Sequence, residues 1–374
     1  MNKKVLLTIG LIATVVSMLF VGCAPQASQP SESGTPAEQS GNTPAAAGDE
    51  VIKWTCQSVW PASLPRQQFL VEQWVKDVEE LSNGRIDIDM YVAGEIVPAF
   101  ECYEAVRDGT LDMSHSWAGY WIGKFPPATM FAATPAFMDV MGYMTWMYEG
   151  GGKELWQETY GDDLKVIPGG WLWAEGGGWS NSEITSLEDF NGVKYRTVLI
   201  WGEILSEMGA AVVTLPGGEI VPSLERGTLD AAEFSTPTSD WGLGFHEVAD
   251  YMYFPGLHQI AGFNEVLLNK DSFNALPADL QAIVVAASDL GAVKAASTWV
   301  MSDCEVIEKY NDYGTTFMKY PVEMQQDIMD RFVDKYNNYD DAMFQKVWHS
   351  QKDFLKVYTP YKDLQTVEAQ ITVD

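Results

Sequence analysis

Cysteine is scarce in this chain. Four occur among 374 residues, at positions 23, 56, 102 and 304, with no Cys-x-x-Cys pair and no cluster with histidine. That pattern supports neither a zinc site nor a thiol redox centre. One disulfide among Cys56, Cys102 and Cys304 would leave an odd thiol, and the spacing does not choose the pair. Basic residues are thin as well, 23 Lys and Arg against 52 Asp and Glu. So acidic a surface repels nucleic acid and anionic lipid, and neither is an expected partner. It also repels free carboxylates at long range, so any anion site needs positive charge of its own. Signatures of common catalytic centres are missing: there is no Gly-x-Ser-x-Gly, no His-Glu-x-x-His and no Walker loop. After Val21 no uninterrupted apolar run is long enough to span a bilayer, and the body is expected to be soluble.

What is strongly apolar sits at the N-terminus. Lys3 and Lys4 precede an apolar run from Val5 to Val21, followed by Gly22-Cys23. A charged start, an apolar stretch and a small residue at the cut describe a secretory signal over residues 1–22. A cysteine directly after that small residue suits lipoprotein processing, with the Cys23 thiol acylated after cleavage. A transmembrane anchor is the alternative, since the run nearly suffices to span a bilayer. The following stretch, residues 23–50, favours a disordered tether. It is rich in Ser, Pro, Gly, Ala and Gln and could not bury enough surface to offset its ordering entropy. Loss of residues 1–22 removes two lysines and no acid, taking the formal charge from −29 to −31. The expected product is exported and lipid-anchored, at the outer face of the cell membrane or in the periplasm.

About 325 residues remain, long for one core and natural for two domains. An internal repeat supports two. Gly94-Glu95-Ile96-Val97-Pro98 recurs as Gly218-Glu219-Ile220-Val221-Pro222, and Gly109-Thr110-Leu111-Asp112 recurs as Gly227-Thr228-Leu229-Asp230, in the same order. Each copy reads as a loop, a helix, a glycine suited to the helix C-terminus and a strand. Ile86–Val92 alternates as a strand after the helical run Gln67–Leu81, and Lys194–Val198 reads as another after the turn Phe190-Asn191-Gly192. Helices alternating with strands favour an α/β class with largely parallel sheets. From Ser272 onward the chain reads as helices. The expected division is a first lobe over 51–170, rejoined by about 258–300, a second lobe over 171–257, and a helical C-terminal region over 301–374. Two lobes joined by several crossings make a hinge, and a ligand touching both shifts the open–closed population.

Several ordered motifs carry a resemblance. They are Ser82-Asn83-Gly84-Arg85-Ile86, Gly94-Glu95, Gly109–Asp112, Pro168-Gly169-Gly170, Gly178-Trp179, Val193-Lys194-Tyr195-Arg196, Leu224–Glu233, Gly244-Phe245 and Phe254-Pro255-Gly256. Over about residues 52–360 the chain resembles the solute receptors of tripartite ATP-independent periplasmic (TRAP) transporters. Within these it resembles the subgroup that binds 2-oxo acids or lactate with a metal ion. The resemblance implies a two-lobed periplasmic-binding-protein-like fold with a hinged cleft and a long helix bracing both lobes. It implies capture outside the cytoplasm and handover to a two-part membrane permease driven by an ion gradient, with no catalysis. Some relatives pair as homodimers through C-terminal helices, and the helical reading after Leu276 permits that.

The same resemblance nominates site residues. Arg196, at a strand end, matches the family's carboxylate-binding arginine, and its planar fork suits a two-bond grip. Glu233 matches a metal-binding carboxylate, and the backbone carbonyl of Phe234, where relatives carry tryptophan, matches a further ligand. Glu175 stands where relatives have a metal-binding glutamine, and Gln259 where a relative has glutamate, so one acid has moved across the site. Read alone, Glu175 beside three glycines is an ordinary loop acid and Glu233 a solvated strand-end acid. Together with a bound monocarboxylate they carry three negative charges against one positive on Arg196. A divalent cation balances that count and sodium leaves one negative, and unbalanced buried charge is costly. Oxygen donors suit calcium over zinc, with sodium, or an ammonium on the ligand, as alternatives. His258 is either a ligand contact or a packed core histidine. Trp117, Tyr120 and Trp171 are expected ligand walls, because loops after strand ends face the cleft. Two other functions compete: a glycoside hydrolase using Glu175 and Glu233, and a sugar or peptide receptor of an ATP-driven importer, which has no need of Arg196.

Overall fold

Alternation decides the first strands: in Ile86–Tyr91, Ile86 and Ile88 are buried while Asp87 and Asp89 face away. The structure, a computed structural model, describes residues 51–365. The leader over 1–22, the acylation of Cys23 and the tether to residue 50 lie outside the described residues.

Two six-stranded sheets organise the described residues. The first runs Ile86–Tyr91, Ile52–Ser58, Met113–Ser116, Ala261–Asn269 and Ala133–Thr134, with Leu164–Leu172 also paired to Ala261–Asn269. The second runs Thr316–Met318, Tyr251–Tyr253, Gly178–Ser180, Ala231–Ala232, Lys194–Arg196 and Ala211–Val213. The sheets are mixed, where the element pattern favoured largely parallel ones. The reason is crossing: Ala261–Asn269 re-enters the first sheet antiparallel to all three of its neighbours, and Gly178–Ser180 enters the second antiparallel to both of its own. The chain passes from one sheet to the other between Leu172 and Gly178 and returns between Tyr253 and Ala261.

The Gly-Thr-Leu-Asp repeat has the same task in both sheets. Gly109 and Gly227 each take a left-handed φ just past a helix. Asp112 then accepts from the Thr55 N–H at 2.8 Å, and Asp230 from the Lys194 N–H at 2.9 Å, tying the next strand to its neighbour. The Gly-Glu-Ile-Val-Pro halves differ. The first is a loop ahead of Cys102–Arg107, and the second lies inside the helix Gly217–Glu225.

The helix Ala278–Tyr313 runs 36 residues, about 54 Å at 1.5 Å per residue. By length and composition it could cross a membrane, but its buried stripe has other partners. Leu280, Val284 and Ala287 pack with Trp54, Trp74 and Val266 beside the first sheet; Val306 and Tyr310 pack with Trp179, Leu224 and Phe245 beside the second. It therefore braces both. Two more helices follow, Val322–Asn338 and Ala342–Gln365, burying Phe332, Tyr336, Phe344 and Trp348.

Candidate functional site

Strand ends from both sheets converge on one small cavity. The first sheet supplies Trp60 after Ile52–Ser58, Trp117 and Tyr120 after Met113–Ser116, and Leu172 and Asn264 from the paired strands. The second supplies Arg196 and Val198, then Phe234 and Ser235; Glu175 and Gln259 come from the two crossings. The crossings are stitched together. The Glu175 N–H donates to the Gln259 carbonyl at 3.2 Å, the Gly256 N–H to the Glu175 carbonyl at 2.7 Å, and the Gly176 N–H to the Ser235 carbonyl at 3.1 Å.

Arg196 is 1% exposed. Its Nε and Nη2 donate to the Leu215 carbonyl at 3.0 and 2.9 Å, and its Nη1 to the Glu233 carbonyl at 2.7 Å and Glu233 Oε1 at 3.2 Å. Of the guanidinium's five N–H groups, these bonds leave one on Nη2. A two-bond grip on a carboxylate thus requires Glu233 Oε1 to yield its place on Nη1. The Phe234 ring lies 5.7 Å from the guanidinium carbon.

Behind these groups stands His258. Its Nε2 is 2.7 Å from Glu175 Oε1 and 3.8 Å from Glu233 Oε2, and its ring stacks on Trp201. Burial alone would drive off its proton, but the bonds to Glu175 and Glu233 and their charge outweigh burial and hold the imidazole pKa above its ordinary value. Glu175 is held high by burial, only partly offset by His258. Glu233 is held low: burial opposes its charge, and Arg196 and His258 overcome burial. His258 enters the charge count as well. With an imidazolium the two glutamates and two cations cancel, and an added monocarboxylate leaves one negative. Sodium balances that as it stands; calcium balances it once His258 is neutral.

Ligand-capable atoms of Glu175, Glu233 and His258 lie within 4.8 Å of one another. The Gln259 Nε2 donates to Glu175 Oε2 at 2.7 Å, while its Oε1 is buried with no partner among the described residues. Two carboxylates and an unused amide oxygen form a donor set for a hard cation, so the residues fit the metal that the resemblance implied.

Trp171 must be corrected. It packs against Phe263, with ring centroids 3.5 Å apart, and beside Tyr143 and Tyr148, and it does not line the cavity. Successive strand residues face opposite sides, so its neighbour Leu172 takes the wall instead. His258 also lies off the cavity lining, as a partner of Glu175. Trp117 and Tyr120 meet edge-to-face, with centroids 5.5 Å apart. Trp60, Leu172, Val198, Ser235 and Asn264 were not foreseen. Trp60 obeys the rule that nominated Trp117, an aromatic just past a strand end, and its Nε1 is held by His115 Nδ1 at 3.0 Å.

The family profile described as bacterial extracellular solute-binding protein, family 7 (DctP), matches residues 56–342. The chain belongs to this family. It is a TRAP transporter solute receptor, and the family is one of binding proteins, not of enzymes. A monocarboxylate 2-oxoacid-binding periplasmic protein of Nostoc sp. is 32% identical over 83% of this chain and 86% of its own length. A TRAP transporter solute-binding protein from Bordetella bronchiseptica, a mixed-occupancy dimer with copurified calcium and picolinate, superposes with TM-score 0.81 at 26% identity. That match covers 84% of this chain and 95% of the other. One from Pseudoalteromonas atlantica, with bound sodium and pyruvate, gives TM-score 0.79 at 27% identity over 85% and 100%.

Proposed function

We propose that this receptor captures a short organic monocarboxylate of the 2-oxo acid or lactate kind, together with a metal ion, for delivery to its membrane permease. One observation carries the reading: a buried guanidinium, Arg196, and a buried carboxylate, Glu175, share the wall of a cavity built from both sheets, with Glu233 paired to that guanidinium off the lining. In this reading Arg196 holds the carboxylate, and Glu175, Glu233, Gln259 and the Phe234 carbonyl hold the cation. The cation offsets the repulsion between the glutamates and the bound acid. Trp117 and Tyr120 wall the tail. The domains act as hinged lobes split near residues 171 and 257, rejoined over about 258–300. Outside the described residues, Val21-Gly22-Cys23 supports a lipid anchor at Cys23. The dimeric Bordetella relative supports pairing.

A thermal-shift screen of pyruvate, lactate and glucose, with and without chelator and with calcium or sodium restored, tests this. The acids raise Tm, glucose does not, and chelation weakens the acid response in a way one of the two metals restores. A response confined to glucose contradicts the reading, and full acid affinity in metal-free, sodium-free protein removes the cation from it.

A further inference from the structure

Asn264 lines the cavity, is 4% exposed, and its Oδ1 makes no hydrogen bond among the described residues. It lies on Ala261–Asn269 at the register shift between Asn264 and Glu265, opposite Gly170. A shift of this kind re-aims side chains. Glu265, the next residue, is fully used: it accepts from Ser116, Trp121 and Tyr160. Asn264 has no such employment.

Its place along the cavity matters. Gln259, with the cation donors, is five residues earlier, and the Gly262–Leu172 pair lies between. Asn264 is therefore two residues further along the strand than that pair. The indole N–H groups of Trp60 and Trp117 are committed to His115 and to the Ala132 carbonyl, so neither serves Asn264. Arg196 and Asn264 line the same cavity, so an acid held by the guanidinium shares that space with a buried acceptor unpaired among the described residues.

We infer that Asn264 is a specificity-determining contact that accepts a hydrogen bond from the ligand's tail. The substrate class is then a short 2-oxo or 2-hydroxy acid bearing a further hydroxyl, in preference to one with a purely alkyl tail. This rests on the carboxylate reading above. A buried acceptor left unpaired is costly, and a site built to bond a hydroxyl rejects the analogue that lacks it.

3-Hydroxypyruvate and 2-oxobutyrate are nearly isosteric, differing by hydroxyl for methyl. In calorimetric titrations the wild-type protein binds hydroxypyruvate at least about tenfold more tightly. Asn264→Ala brings the two within about threefold, while the Tm of the unliganded protein does not fall, since no bond within the protein is lost. Asn264→Leu, close in volume, gives the same result if the alanine variant folds poorly. Equal affinities in the wild type, or a preference that survives both substitutions, overturns the proposal. Failure of the wild type to bind either acid is a different result and overturns the carboxylate reading beneath it.

Discussion

Glu265 holds a carboxyl beneath the aromatic wall with three donors and, among the described residues, no ion pair. Burial pushes its pKa up to about 7 from the ordinary 4.5, although Trp121, Ser116 and Tyr160 pull the other way. The folded protein therefore keeps a proton that the unfolded chain releases on passing 4.5. Stability falls as pH rises from 4.5 to 7, and the loss is complete above that window. Glu265→Gln escapes this. Between pH 4.5 and pH 8, its unfolding free energy relative to wild type should improve by about 3 kcal/mol, read from urea titrations at the two pH values. A constant difference contradicts the burial account. His258 shows what single residues conceal in sequence. Its role comes from two carboxylates, one 83 residues away in the chain, and no local pattern announces a contact across that distance. The places of Arg196 and Glu233 were legible because the first ends a strand and the second directly follows one, each inside a recognisable motif. Asn264 was not, because a mid-strand asparagine turned toward a cavity by a register shift looks like any other strand residue.

At the scale of elements, strand ends set the wall. The rule that aromatic residues just past a strand face the cleft found Trp117 and Tyr120 and would have found Trp60. It failed for Trp171 because that residue is still within Leu164–Leu172, where alternation assigns it to the core and Leu172 to the cavity. The mixed sheets were hidden for a related reason: strand direction after a crossing depends on which lobe the chain re-enters, and no local signal carries that. The turn after Met113–Ser116 is tight. A Cβ on Gly119 would lie 2.2 Å from the Trp117 ring, so Gly119→Ala must displace the ring. Overpacking of this kind costs about 1–3 kcal/mol. We expect ligand affinity to fall about tenfold or more, measured by calorimetry. Unchanged affinity would mean that Trp117 is not a wall for the ligand.

Across the whole molecule, a formal charge of −29 surrounds a cavity lined by the Arg196 guanidinium. An anionic solute approaches against that field, so salt should speed its capture. Stopped-flow association rates for pyruvate should rise with ionic strength, because exposed charges are screened beyond about 10 Å at 0.1 M salt. A rate that falls with salt would point to a cationic ligand. The helix Ala278–Tyr313 packs beside both sheets and ties them together.

The central claim is that the buried Arg196 guanidinium grips the acid. Calorimetric titration of pyruvate into wild-type and Arg196→Ala protein tests it directly, with circular dichroism to confirm that both are folded. The account predicts measurable binding in the first and a loss of at least about a hundredfold in the second, the scale of losing a charge-assisted pair inside a closed site. Pyruvate affinity left intact by Arg196→Ala would contradict it.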